Sequence, residues 1–369
     1  MTPKETPPVV EPLAATSTSA LTVRELTEEN AGRWTRFVEG HPAANLYHTV
    51  LWRDVIQQAF GHRPVYLLCE LGNEIRGVLP MFLVKFPLLG SKLISIPYDL
   101  GSGGPLAIDQ VSERALVERA MAMARARSAN YLELRCGTGR EALEGLGLER
   151  SEPVVISEMD LDNEASVLAR MKEDHRKAIR KAKNRGITIR EAEQLDEFQT
   201  FYEIYLRVFR TFGTPPYGAD YFPIVWQRLH ASGAVRLLLA YAGERCVGGL
   251  LLFCWGQNLI SKFAACLPEA VPLRAYVALY WRAIELGLEL GYRRLSWGTS
   301  SRDQAGLIEF KERWGAHTRP VMLYAMAVKK KAPSLEAYYD SDRLARRLWR
   351  KLPLPATRVM GGLLNRWFC

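Results

Sequence analysis

Two hairpins constrain this chain more than any other feature. Leu71-Gly72-Asn73-Glu74-Ile75-Arg76-Gly77-Val78 and Ala242-Gly243-Glu244-Arg245-Cys246-Val247-Gly248-Gly249 place glycine at the same spacing, once in the turn and once in the outgoing strand. The flanking runs, 65–70 with 75–85 and 235–241 with 246–255, have strand composition. Each hairpin is followed by another strand (92–96, 260–265), a long Ala- or Leu-rich helix (111–128, 271–290) and a short strand (131–135, 293–297). Agreement in order and length over roughly 70 residues predicts internal duplication of one α/β unit. Hairpins mixed with β-α-β crossovers require a mixed sheet in each copy, flanked by helices: an α/β (α+β) fold in tandem.

Three segments lie outside that repeat. Residues 1–20 are rich in Pro, Thr and Ala without an apolar core, which predicts disorder and no signal peptide. Residues 171–186 form a basic helix with seven Lys or Arg against two acids. Residues 331–369 form a basic amphipathic tail. Its expected roles are a terminal helix with a solvated basic face, or adhesion to an anionic membrane. The expected units are 21–160 and 161–330. The formal charge of +9 favours an anionic partner. The six cysteines make no C-x-x-C pair and the six histidines no ligand spacing. Neither a disulfide framework nor a metal site is expected. No apolar run is long enough to span a bilayer, which predicts a cytoplasmic chain, peripheral at most at the inner membrane face.

Two stretches carry polar chemistry. From Tyr292 to Gly315 a short strand is expected to enter a small-residue turn at 298–301, then a loop with Asp303, then a helix start before Phe310-Lys311. Strand ends and helix starts are where open α/β sheets hold ligands. The other stretch, 98–105, has Tyr98, Asp99 and closely spaced glycines including Gly103 and Gly104, which would let a ligand approach backbone amides. The stiff loop 213–218 brings Tyr217 and Tyr221 as candidates to border a channel. Arg176, Lys177, Arg180 and Lys181 on the basic helix could grip phosphates of tRNA or of a nucleotide-linked substrate.

These segments resemble the FemAB family of GNAT-type acyltransferases, most of all its members associated with exosortase and exopolysaccharide systems. The resemblance rests on Tyr47-His48-Thr49-Val50-Leu51-Trp52, Phe60-Gly61-His62-Arg63-Pro64, Leu93-Ile94-Ser95-Ile96-Pro97-Tyr98, Gly103-Gly104-Pro105-Leu106-Ala107, His175-Arg176-Lys177-Ala178-Ile179-Arg180-Lys181-Ala182, Phe212-Gly213-Thr214-Pro215 and Phe310-Lys311-Glu312-Arg313-Trp314-Gly315. It implies tandem GNAT-like domains and acyl or aminoacyl transfer to an amine on a cell-envelope or exopolysaccharide-type acceptor. The donor would be aminoacyl-tRNA or acyl-CoA, used as cosubstrate with no bound cofactor. The family's Phe-Lys element implies Lys311 beside the acyl carbonyl, with Phe310 next to it. The Gly-Pro-φ-φ-Asp element of its peptidoglycan-directed members is here Gly104-Pro105-Leu106-Ala107-Ile108-Asp109, with the acid one place late. Where the exosortase-associated members carry Asp-Phe-Gly-Arg-Ser, this chain has Ser296-Trp297-Gly298-Thr299-Ser300.

Aminolysis of an ester or thioester builds a negative oxygen and releases a proton. Lys311 is the candidate donor to that oxygen. Asp99, Asp303 and, third, Asp109 are candidates for the proton. Tyr98, Gly103, Gly104, Tyr217, Tyr221, Trp297, Ser300 and Phe310 are expected around the substrate. Arg135-Cys136-Gly137-Thr138-Gly139 is one residue short of an acetyl-CoA pyrophosphate loop. Two alternatives remain open: a simple acyl-CoA-dependent N-acyltransferase, and a non-catalytic assembly factor at the membrane surface.

Overall fold

Both hairpins form, and in matching register. In the computed structural model, which describes residues 20–86, 90–332 and 343–366, fifteen strands are seen: β1 (Leu21–Glu25), β2 (Arg63–Pro64), β3 (Leu67–Leu71), β4 (Glu74–Leu79), β5 (Phe82–Phe86), β6 (Gly90–Ile94), β7 (Leu106–Ala107), β8 (Tyr131–Arg135), β9 (Glu149–Asp160), β10 (Ile187–Glu191), β11 (Val235–Ala242), β12 (Arg245–Trp255), β13 (Asn258–Cys266), β14 (Arg294–Ser301) and β15 (His317–Ala327). The segment expected to be disordered lies, except for its last residue, outside the described residues.

The β3–β4 ladder slips between Cys69 and Glu70, and the β11–β12 ladder slips between Ala240 and Tyr241. In each copy the second glycine of the hairpin, Gly77 or Gly248, follows the bulged residue. Neither has room for a side chain. A Cβ on Gly77 would stand 3.0 Å from the Leu106 carbonyl, and one on Gly248 2.6 Å from Cys266 Sγ. The edge strands agree too: β1 starts opposite the last residue of β3, and β10 starts opposite the last residue of β11. The duplication therefore extends to bulges and register.

The copies differ where Pro80 interrupts the first. β12 is continuous, but its counterpart is split into β4 and β5, because proline has no N–H to donate to a ladder. The first copy is thus divided between a four-stranded sheet, β1-β3-β4-β7, and an eleven-stranded sheet, β10-β11-β12-β13-β14-β9-β15-β8-β6-β5-β2. At the centre of the larger sheet the copies trade strands. β9, which follows β8 in sequence, pairs with β14, and β15, which follows β14, pairs with β8. β9 and β15 pair with each other.

Helices cover the sheets. Helix Val50–Phe60 starts at Thr49, whose Oγ1 accepts from the Trp52 amide, and stops at Gly61 in the left-handed region. Helix Leu195–Phe212 stops the same way at Gly213. A short 3-10 turn, Glu28–Asn30, leads into helix Ala31–Gly40. The largest apolar cluster draws Trp34, Trp52 and Phe82 from one copy and Phe198, Phe222, Phe253 and Phe263 from the other. Trp52 meets Phe253 edge-on at 5.4 Å. Full burial of a side chain the size of Phe253 contributes about 2 kcal/mol.

The turn expected at 298–301 is instead strand. β14 runs on to Ser301 and pairs Thr299, Ser300 and Ser301 with Ile156, Val155 and Val154 of β9, across a bulge after Ser296. Local composition reads as a turn, and the long-range partner overrides it.

Candidate active site

The site begins where parallel strands part. β13 and β14 pair only from Asn258–Arg294 to Ile260–Ser296, and β6 and β8 only from Lys92–Tyr131 to Ile94–Glu133. Beyond Ile260–Ser296 the β13–β14 ladder ends, whereas past Ile94 the Ser95 amide still donates to the Glu133 carbonyl at 3.1 Å and the Arg135 amide to Ser95 Oγ at 2.9 Å. A cleft of about 1660 Å³ runs between the copies, with Tyr47, Tyr98, Asp99 and Ser102 on one side and Tyr217, Lys262, Trp297 and Gly298 on the other.

Asp99 and Lys262 join the two sides. Lys262 Nζ donates to Asp99 Oδ2 at 2.8 Å and to the Tyr98 carbonyl at 3.0 Å. Tyr47 Oη donates to the same carboxylate at 2.5 Å, and the Gly101 amide donates to Oδ1 at 2.7 Å. Burial alone would raise the Asp99 pKa. The Lys262 charge and these hydrogen bonds outweigh it and hold the carboxyl below its usual range. Asp99 is therefore a fixed anion and a weak base. Lys262 has an N–H beyond the two bonds described, for an oxygen in the cleft.

Tyr98 adopts φ +65°, a costly backbone for a residue with a side chain. Its surroundings hold it there. The ring stacks on Phe60 at 3.8 Å, its hydroxyl shares a 2.6 Å hydrogen bond with His62 Nε2, and Tyr217 Oη donates to its carbonyl at 3.2 Å. Burial, helped by Lys92, lowers the His62 pKa to about 4, so the imidazole is neutral.

Lys311 lies behind the wall. It is 4% exposed, and its ammonium donates to the Gly298 carbonyl at 2.9 Å, the Thr299 carbonyl at 3.3 Å and Ser300 Oγ at 2.8 Å. An ammonium has three N–H donors, and all three are engaged. They clamp the bulge of β14, where Gly298 has φ +71°. Burial lowers the Lys311 pKa to about 8.

The other predicted residues divide by position. Tyr98, Tyr217 and Trp297 face the cleft together with Asp99. Tyr221 is buried behind Tyr217, and the two rings stack at 4.8 Å. Ser300, on β14, turns its hydroxyl to Lys311, Phe310 packs against Trp297, and neither lines the cleft. Gly103 and Gly104 are packing glycines: a Cβ would strike Ile96 in one case and Cys136 in the other. Asp109 caps helix Gln110–Ala126 through the Ser112 amide and pairs with Arg76, away from the cleft. Asp303 is exposed on the turn after β14 and does not line the cleft. The basic helix, Glu173–Lys183, presents Arg180 and Lys181 to solvent. Arg176 donates to the Leu168 carbonyl and Lys177 pairs with Glu173. None of the four lines the cleft.

Arg135, of the short glycine loop, bonds inward to the carbonyls of Ile96 and Asp99 and to Glu133. No metal-holding group of His, Cys, Asp or Glu occurs among the described residues. Sequence reading missed Lys262. Its one signal is a lone lysine inside an apolar strand, a place lysine rarely occupies without a partner.

Residues 169–312 match the family described as acetyltransferase (GNAT) domain. No curated protein matches the sequence. The fold is similar to solved structures at low identity. FemX superposes with a TM-score of 0.70 at 15% identity, covering 88% of this chain and 100% of that one. L-PGS from Bacillus licheniformis gives 0.58 at 11%, covering 89% and 98%. A tandem GNAT protein from the clavulanic acid biosynthesis pathway gives 0.53 at 14%, covering 85% and 100%. Fold and match agree on the architecture: the GNAT unit duplicated in tandem, with the domain match falling on the second copy. The arrangement of the two copies is similar to that in FemX.

Proposed function

We propose that this chain transfers an acyl or aminoacyl group to an amine on a cell-envelope or exopolysaccharide-type acceptor held in the cleft. The observation that carries the reading is the Asp99–Lys262 pair, one partner from each copy, lining the cleft between them. The amine attacks the carbonyl carbon, a C–N bond forms, and the C–O or C–S bond of the donor breaks. The amine proton leaves with the departing group. Lys262, held by Asp99, donates to the transient oxyanion. Lys311 acts one layer behind as a positioning residue, fixing the Gly298 bulge against which the carbonyl rests. The cleft is large for an acetyl group alone, which favours a bulky acceptor or an aminoacyl donor.

Mass spectrometry of envelope and polysaccharide fractions from cells with and without the protein tests the reading. A mass difference of one acyl or aminoacyl group, lost with Lys262→Ala, is expected. Identical fractions would overturn it. Thermal shifts with acyl-CoA and with charged tRNA identify the donor.

A further inference from the structure

Helix Leu354–Asn365 is inside out for a surface helix. Its body-facing side is small and polar. Thr357 and Gly361 are buried, a Cβ on Gly361 would lie 2.6 Å from Pro216 Cδ, and Asn365 Nδ2 donates to the Pro215 and Pro216 carbonyls at 3.0 and 2.6 Å. Its outward side is apolar. Val359, Met360 and Leu363, three and four residues apart, are 64%, 42% and 49% exposed. The exposed cations stand beside this apolar side; Arg358, within the helix, pairs with Glu203. Arg347, Arg350, Lys351 and Arg366 are all exposed. Leu348 and Phe212 are 58% and 50% exposed, and Arg350 reaches the Phe212 carbonyl at 3.5 Å.

Single exposed apolar residues are ordinary, but a contiguous set with a charged rim marks a docking face. The rim chooses the occupant. From Arg343 to Cys369 there are seven Lys or Arg and no Asp or Glu. A second copy joined about a twofold axis would press this rim against itself. An anionic lipid surface takes up both features, with apolar side chains at the acyl boundary and cations among the headgroups. No helix among the described residues is long and apolar enough to cross a membrane, so the contact is interfacial. We propose that the outward face of helix Leu354–Asn365 docks on an anionic bilayer surface. The loop it rests on also carries Tyr217, so docking sets the cleft beside the lipid. The proposal concerns binding and stands independently of the transfer chemistry.

Flotation of the full chain with vesicles tests it, using phosphatidylcholine alone and phosphatidylcholine with phosphatidylglycerol. The chain is expected to float only with the anionic vesicles, and less as salt is added. Val359→Asp with Leu363→Asp should abolish flotation at unchanged melting temperature. Arg347→Glu with Lys351→Glu should weaken it roughly tenfold or more. Should the aspartate pair disturb folding, Val359→Ser with Leu363→Ser replaces it, and partial loss is expected. Absence of flotation, equal flotation with both vesicle types, or unchanged flotation of the folded variants would overturn the proposal. So would a dimer in light scattering that the aspartate pair converts to monomer.

Discussion

At the residue scale the two lysines on either side of β14 have opposite assignments, and kinetics separates them. Lys262→Ala should lower kcat by about a hundredfold or more, the usual effect of losing one oxyanion donor. It also leaves Asp99 buried without a counter-charge, which costs roughly 3 kcal/mol of stability. The double variant Asp99→Asn with Lys262→Met should regain most of that stability and remain inactive. Recovery of activity along with stability would reduce the pair to a structural strut. Lys311 gives a pH signature. Its folded pKa is about 8 against the usual 10.5. Between those values the unfolded chain holds a proton that the folded chain has shed, so wild-type stability relative to Lys311→Met rises with pH. The rise spans on the order of 3 kcal/mol and is complete above the unfolded value. Activity should move the other way and fall above about pH 8, because the neutral amine has too few N–H groups for its three acceptors. Denaturant titrations and kcat measured on one pH series check both signs. Asp99 was legible as a polar residue in a glycine-rich loop. Lys262 was not, because its meaning comes from a partner more than a hundred and sixty residues away.

The decisive element is the bulge in β14. Gly298 takes a backbone conformation that a β-branched residue tolerates poorly, while a Cβ there would meet only the Ser261 carbonyl at 3.5 Å. Gly298→Val should therefore cost about 1–3 kcal/mol through backbone strain. Gly233, at φ +69° with nothing nearby, is the matched control. Gly233→Val should cost about as much stability and leave kcat alone, whereas Gly298→Val should lose kcat as well, as melting curves and assays will show. The hairpins were readable element by element, since turn glycines and strand composition are local. The extension of β14 to Ser301 and the strand β15 were not. Gly298-Thr299-Ser300-Ser301 has the composition of a turn, and only pairing with β9 makes it a strand.

For the whole molecule, the exchange of β9 and β15 makes each copy part of the other's sheet, and the aromatic cluster crosses the same boundary. The chain should unfold in one transition. Phe253→Ala should lower stability by roughly 3–5 kcal/mol, with tryptophan fluorescence and circular dichroism shifting together in urea. Two separated transitions would show that the copies are energetically independent. The sequence by itself determined the repeated unit, its mixed strands and most helix ends, because these follow from spacings a few residues long. Only the tertiary structure decided which strands meet at the centre, that Lys262 rather than Lys311 faces the cleft, and that Asp109 and Asp303 stand away from it. Those outcomes depend on contacts between distant segments, whose free energy comes from burial and pairing that neighbouring residues do not encode.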